Sequence, residues 1–336
     1  MVHRKRSPIN RFFRSLLGRV LKLLLLGAAV FVALFLWVIS GRDERAAVIE
    51  APEEALSAPA TPPDTLRLLT YNIAHGRGPE LNARNTDGGN AEAKRKRLED
   101  IGHRIGALGL DMVFLQEVDF NTWWSHGMDQ ASIIAEAAGF PFIVRQRNFD
   151  TGLPLFRRYD FGNALLSRLP IAEAERVSLP AFSEMEALFA GNHDAMLATI
   201  QIGEDQQILI LGAHLEVRSE EARVQAAEEL IRVQRKHPQP MILLGDLNST
   251  PPGFPGSKTS LSGQNTIELL ESFGGFQRRP GRGQATHTDF TFPTVAPRRI
   301  IDWILADRNW RILEYKVLRD FQESDHLPVM ATLKRR

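Results

Sequence analysis

MILLGDLN, residues 241–248, sets the pattern on which the rest of the chain is read. The short apolar run Met241–Leu244 predicts a buried strand, and it ends on polar residues that a simple strand does not need. Alternation along an extended chain puts Asp246 and Asn248 on one face, pointing the same way. A carboxylate beside an amide can accept a proton and orient a phosphate or a water. The same two residue types also suit an Asx turn, which is the structural alternative.

The arrangement recurs on both sides of this stretch. Short apolar runs predict further strands at 66–71, 112–115, 164–166, 196–202, 208–212, 300–305, 312–317 and 329–333. Three of these run into a polar residue: Asn72, Glu117 and His214. Strand ends are where rigid α/β scaffolds present functional groups, although Glu117 alone also reads as a solvated loop carboxylate. Asp302 lies inside an apolar strand, where an unpaired carboxylate is costly, so it needs a partner. Histidine supplies one, and Ser324-Asp325-His326 precedes the last strand; a backbone-bonded structural Asp is the alternative. Between the strands, Leu98, Ile101, Ile105 and Leu108 recur at helical spacing. A second helix starts at Ser219, an N-cap followed by Glu220 and Glu221. Strands and helices in mixed order predict α/β layers, with sheets inside and helices outside.

Composition narrows the chemistry. The 336 residues contain no cysteine, which excludes disulfides, zinc–thiolate sites and a thiol nucleophile. No G-x-S-x-G and no phosphate-cradling loop motif is present. A set of Asp, Glu, Asn and His without sulfur favours Mg²⁺ or Mn²⁺.

The first 64 residues are of another kind. Residues 1–19 are basic, and with Lys22 seven cations stand there without an acid. Leu23 to Ile39 carries no charge, and residues 20–40 are expected to form an uncleaved transmembrane signal-anchor helix. A cleaved signal peptide and a core helix are the alternatives. The basic flank predicts a cytoplasmic N-terminus, with everything beyond residue 40 outside the cytoplasm, periplasmic or extracellular. Residues 41–64, rich in Pro, Ala and Glu, read as an extended linker. The folded domain is expected over 65–336, with 32 basic and 34 acidic residues, a net charge of −2. A duplex-binding protein usually shows a basic excess.

Seven short segments, TYNI (70–73), LQEVD (115–119), GNALLSRLPI (162–171), AHLE (213–216), GDLN (245–248), IDWIL (301–305) and SDHLPV (324–329), then stand in the order of a known set. The chain resembles the endonuclease/exonuclease/phosphatase superfamily, which includes abasic-site endonucleases, neutral sphingomyelinases and inositol polyphosphate 5-phosphatases. The resemblance implies a four-layer α/β sandwich of two packed, mixed, mostly antiparallel sheets. It also implies phosphoester hydrolysis by metal-assisted in-line attack of water. By motif, Glu117 resembles the principal metal ligand, with Asn72 beside it and Asp325 a second metal-linked carboxylate. Asp246 resembles the base that activates or positions water, and Asn248 the amide that holds phosphate or water. His214 and His326 resemble the histidines that stabilise the phosphoryl oxygens. Asp302 resembles the carboxylate orienting His326, and Asn163 a polar residue on the substrate side. One position departs from some members: Ala74 stands where they carry Asp or His.

Two features stay outside this set. Lys94–Arg97 reads as a solvated helix start, or else as a phosphate-recruiting patch. Trp123-Trp124 reads as a partly buried packing pair, or else as an aromatic rim. The expected function is a membrane-tethered phosphoesterase acting on a lipid-linked or small extracytoplasmic substrate. An extracytoplasmic nuclease and a non-catalytic tethered binding module are the alternatives.

Overall fold

A computed structural model describes residues 8–40, 48–51, 59–152, 158–183, 193–281, 283, 284 and 286–336. The N-terminal helix α1 runs Pro8–Ser40, beginning twelve residues before the expected span. Over Leu16–Leu34 it is long and apolar enough to cross a membrane, and no part of that stretch is buried against protein. Residues 1–7 of the basic segment, and 41–47 and 52–58 of the expected linker, lie outside the described residues. Part of the expected linker is bound to the domain. Val48–Glu50 forms strand β1, pairs with the sheet and ties Glu50 Oε1 to Arg145 Nη1 at 2.7 Å.

Eleven further strands build two sheets. Strand β2 is Thr65–Asn72, β3 Met112–Asp119, β4 Phe142–Gly152, β5 Arg158–Ser167 and β6 Ile171–Val177. Strand β7 is Ala195–Gly203, β8 Gln206–His214 and β9 Met241–Asp246. Strand β10 is Asp302–Ala306, β11 Trp310–Val317 and β12 Val329–Arg335. One sheet has the order β1-β4-β5-β3-β2-β12-β11, the other β10-β9-β8-β7-β6. Among the described strands only β2/β3 and β8/β9 pair in parallel, so the sheets are mixed and mostly antiparallel, as the resemblance implied. Helices α2 (Ala91–Gly106) and α3 (Gln130–Ala138) cover the first sheet, and α4 (Glu220–Lys236) and α5 (Thr266–Gly274) the second.

Strand alternation sorts the apolar residues into three layers. Leu66, Leu68, Phe114 and Leu165 of one sheet meet Ile208, Ile210, Ile242, Leu244 and Ile304 of the other in the central core. Leu69, Tyr71, Val113 and Leu115 face α2 and α3, while Leu209, Leu211 and Leu243 face α4 and α5. Phe114 packs against β8 at Gly212, where a Cβ would lie 2.3 Å from its ring. The same inward register continues past the apolar core at one end of the molecule. There it presents Asn72, Asn163, His214, Asp246 and Asp302 between the sheets.

Candidate active site

That end opens into a cleft of about 540 Å³ lined by Glu117, His214, Asp246, Asn248, Asp325 and His326. Asp246 and Asp302 are partners in the β9–β10 register, and His214 and Asp246 are partners in the β8–β9 register. The strand pairing alone therefore fixes a row of three titratable groups.

Asp302 is fully buried, and both its oxygens face His326 Nδ1, at 3.0 and 3.1 Å. This pairing confirms the need for a partner read from the sequence, and it turns His326 Nε2 toward Asp246 Oδ2, 3.7 Å away. His214 Nε2 approaches the same oxygen at 3.5 Å. Burial would lower the His326 pKa, but the Asp302 and Asp246 carboxylates outweigh it and raise it to about 10. Burial and then the Asp302 charge push Asp246 up, to about 7. His214 is lowered by burial, with the His326 charge adding to the effect.

Asn248 holds a left-handed backbone, φ 49°. Its N–H donates to Asp246 Oδ1 at 3.0 Å, and its side-chain NH₂ to the Leu215 carbonyl at 2.9 Å. Gly245 just before has φ 146°, and a Cβ there would stand 1.8 Å from the Ala213 carbonyl oxygen. Only glycine allows β8 and β9 to approach this closely beside Asp246. Ser249 is fastened to buried Glu220, which also accepts from the Thr266 N–H, so the starts of α4 and α5 brace the loop.

Glu117 reaches the cleft against the alternation of β3, whose odd residues face the helices. A β-bulge between Leu115 and Val118 and a left-handed backbone at Glu117, φ 53°, turn the carboxylate inward. A non-glycine residue in that region costs about 1–2 kcal/mol, offset by the contacts it gains. Asn72 Nδ2 donates to Glu117 Oε1 at 2.9 Å and to Asp246 Oδ2 at 3.2 Å, while Asn72 Oδ1 accepts from the Ala74 N–H at 3.0 Å. Asn72 thus spends its NH₂ group on the two carboxylates and holds Glu117 in place. Burial would raise the Glu117 pKa, but His75, His214 and Arg77 outweigh it and hold the group well below the ordinary carboxylate range.

Two residues that the sequence reading passed over complete this side. Arg77 bridges Glu117 Oε2 at 3.1 Å and Asp325 Oδ2 at 2.8 Å. His75 bonds Asp119 through Nδ1 at 2.8 Å, and its Nε2 lies 3.5 Å from Glu117 Oε2. The signal available in the sequence was the pair His75 and Arg77, three and five residues beyond the end of β2. Trp124 donates to Asp119 Oδ2 at 2.8 Å and packs edge-on against His75, so this Trp is a packing partner of the site. The Lys94–Arg97 run is divided. Lys94 is buried and holds the Asn85 and Trp124 carbonyls, and Arg97 holds those of Gly76 and Gly88. Only Arg95 and Lys96 are solvated, as read for the whole run, each with an acid one turn on. Asn163 is fully buried behind the cleft-lining Gly162, and neither of its side-chain polar atoms has a partner among the described residues.

Two carboxylate groupings are candidates for a cation. Asp246, Asp302 and His326 bring ligand atoms within 4.8 Å of one another. An ion there would have to break the sealed Asp302–His326 pair. Glu117 and Asp325 fit a hard cation better: both are oxygen donors at the cleft, Arg77 engages only Oε2 of one and Oδ2 of the other, and Asp325 Oδ1 is buried without a partner among the described residues.

The sequence profile of the Endonuclease/Exonuclease/phosphatase family matches residues 69–326. No curated protein matches the chain in sequence. Among solved structures, an endonuclease/exonuclease/phosphatase from Beutenbergia cavernae is 22% identical, with TM-score 0.57 over 81% of this chain and 72% of that one. The human Nocturnin catalytic domain with bound sulfate is 18% identical, with TM-score 0.57 over 86% of this chain and 98% of that one. D. rerio TDP2 complexed with single strand DNA product is 15% identical, with TM-score 0.57 over 81% of this chain and 100% of that one. At these identities the structures establish the fold.

Proposed function

Because the chain belongs to the endonuclease/exonuclease/phosphatase family, we propose that it is a membrane-tethered, divalent-metal-dependent phosphoesterase. Its substrate is a lipid-linked or small extracytoplasmic phosphoester. The observation that carries the chemistry is the convergence of His326 and His214 on Asp246, within 3.7 and 3.5 Å. One carboxylate and two imidazoles around a single point suit the in-line attack of water on phosphorus, with charge growing on the phosphoryl oxygens.

Asp246 positions the attacking water and takes its proton. His326, charged and held by Asp302, and His214 donate to the phosphoryl oxygens. Asn248, fixed through its own N–H and NH₂, turns its amide oxygen to the water or phosphate. Asn163, buried behind Gly162, shapes the substrate side. When bound, Mg²⁺ or Mn²⁺ would supply Lewis-acid polarisation of the phosphoryl oxygen. Glu117 and Asp325 would hold the cation, and Asn72 fixes Glu117.

The exposed apolar face of α1 supports a membrane anchor. The seven cations before Leu23 support a cytoplasmic N-terminus and an extracytoplasmic domain. The domain charge of −2 argues against duplex DNA as substrate. One experiment tests the reading: hydrolysis by the purified full-length chain with Mg²⁺ or Mn²⁺, at fixed salt. Its substrates are phospholipids, a lipid-linked diphosphate, sugar phosphates, plasmid DNA and single-stranded RNA. A kcat/KM on nucleic acid more than tenfold above that on the lipids would replace this function with the nuclease. No hydrolysis of any substrate would leave the binding module. Protease added outside intact cells or spheroplasts should release the domain, and protection until lysis would reverse the topology.

A further inference from the structure

We propose that the cleft-bearing end of the two sheets docks on the phospholipid bilayer in which α1 is anchored, with four loops around the cleft as the contact surface. The proposal rests on the membrane-tethered reading above and adds which face of the domain meets the lipid. Two independent observations carry it.

The first is the direction in which the chain enters the domain. Along β4, residues Arg145, Arg147 and Asn148 approach the cleft, since Arg147 pairs with cleft-lining Gly162 and Asn148 itself lines the cleft. Strand β1 is antiparallel to β4, with Glu50 opposite Ile143 and Val48 opposite Arg145. Followed backwards toward α1, the chain therefore leaves the sheet at the cleft end. Seven residues, 41–47, separate Ser40 at the end of α1 from Val48. Such a length spans at most about 25 Å. The leash is short, and it pulls the cleft end toward the membrane.

The second is where the folded domain exposes large apolar side chains. Among the described residues of the domain there are seven: Leu81, Phe182, Val217, Leu261, Phe273, Val295 and Leu313. Five of them, all but Phe273 and Leu313, lie on loops at the cleft end. Leu81 and Val217 line the cleft mouth itself. Val295 tips the loop closed by the Phe292–Arg299 bridge, and the Leu261 N–H is bonded to Glu221 in the first turn of α4.

Four of the five stand beside an exposed cation within three residues: Leu81 with Arg84, Val217 with Arg218, Leu261 with Lys258, and Val295 with Arg298. Glu80 and Asp87 are the exposed acids of the first of these loops. Aliphatic side chains at the acyl boundary, with cations level with the phosphates, are what an interfacial surface requires. A soluble protein partner would need only the apolar groups, without the repeated cation.

The absence of native cysteine makes depth measurement direct. Single variants Leu81→Cys, Val217→Cys, Leu261→Cys and Val295→Cys of the full-length chain, with Phe273→Cys and Leu313→Cys as controls, would carry an environment-sensitive fluorophore. Each would be reconstituted in phosphatidylcholine/phosphatidylglycerol vesicles containing nitroxide-labelled lipid. The four cleft-end labels should be quenched at least twofold more than both controls. Equal quenching at all six positions, or protection of the four by a second copy of the chain, would overturn the proposal. Failure of the chain to float with vesicles would overturn the anchor and the docking together. A correct depth pattern with no hydrolysis of any lipid would support the docking while removing the lipid substrate. As a functional readout, the double variant Leu261→Ser/Val295→Ser should lose about tenfold in turnover of vesicle-borne substrate and keep its rate on bis(p-nitrophenyl) phosphate.

Discussion

Asp302 and Asp246 stand directly opposite each other on β10 and β9, and the ring of His326 lies between them. Two carboxylates on one buried inner face repel, and the imidazolium relieves the repulsion while gaining an orientation. The inner carboxylate is sealed and the outer one borders the cleft, so the same residue type does different work at the two positions.

His326→Ala and Asp246→Ala should each lower kcat by about 10²–10⁴, and His326→Ala should also lower the unfolding midpoint, because it leaves buried Asp302 without its partner. Asp302→Asn should cost less, because the ring stays in place with a weaker partner. Near-wild-type turnover in His326→Ala would refute the assignment.

Dependence on pH follows from the same row. Asp246, near 7 in the folded chain against an ordinary 3.8, keeps a proton that the unfolded chain has lost, so its contribution to stability declines as pH rises from about 4 to about 7. His326, raised to about 10 from 6.5, contributes stability that is complete below about 6.5 and lost as pH passes 10. Activity needs Asp246 ionised and His326 charged. The kcat/KM profile should therefore be bell-shaped, with an acidic limb at or below 7, since a bound cation favours the carboxylate, and an alkaline limb near 10. Asp302→Asn should draw the alkaline limb down, which steady-state kinetics from pH 5 to 11 would detect.

Chelation of divalent cations should abolish hydrolysis, and Mg²⁺ or Mn²⁺ should restore it. Titration of Mn²⁺ followed by electron paramagnetic resonance should show weaker binding in Glu117→Gln. Asn72→Ala, which frees Glu117 without removing it, should weaken binding by roughly 10–100-fold. Full activity in excess chelator would exclude the metal mechanism.

Gly245→Ala places a methyl group against the Ala213 carbonyl at a backbone angle alanine rarely adopts. Denaturant unfolding should show a loss of about 2–5 kcal/mol. An unchanged midpoint would mean that β8 and β9 separate at little cost.

All nine strands read from apolar runs are present, and so are both helices. Strands β1, β4 and β6 escaped: β1 is three residues inside a linker-like stretch, β4 has an apolar run only at its start, Phe142–Val144, and β6 has none longer than two residues. Strand β4 buries Arg145 and Gln146 in polar networks, and β6 exposes Glu173. Within the site, Asp246, His214 and Asp302 were legible because they follow the alternation of their strands. Glu117 was found from its place after an apolar run, but its aim depends on a bulge that strand periodicity does not reveal. Arg77 and His75 were missed because their partners, Asp325 and Asp119, lie 248 and 44 residues away. Lys94 read as solvated because buried lysines are rare, and its carbonyl partners come from loops that no local pattern marks.

The alternation that carries Asn72, Asn163, His214, Asp246 and Asp302 inward also constrains how such a chain can diverge. Deleting one residue inside β9 would swing Asp246 to the helix-covered face and bring Leu247 into the cleft, disabling the site in a single event. Insertions at the loops beyond these strands leave the frame untouched. Lineages of this architecture can therefore lengthen or exchange the rim freely while the strand lengths stay fixed, so new substrates are reached by rewriting loops around an unaltered frame.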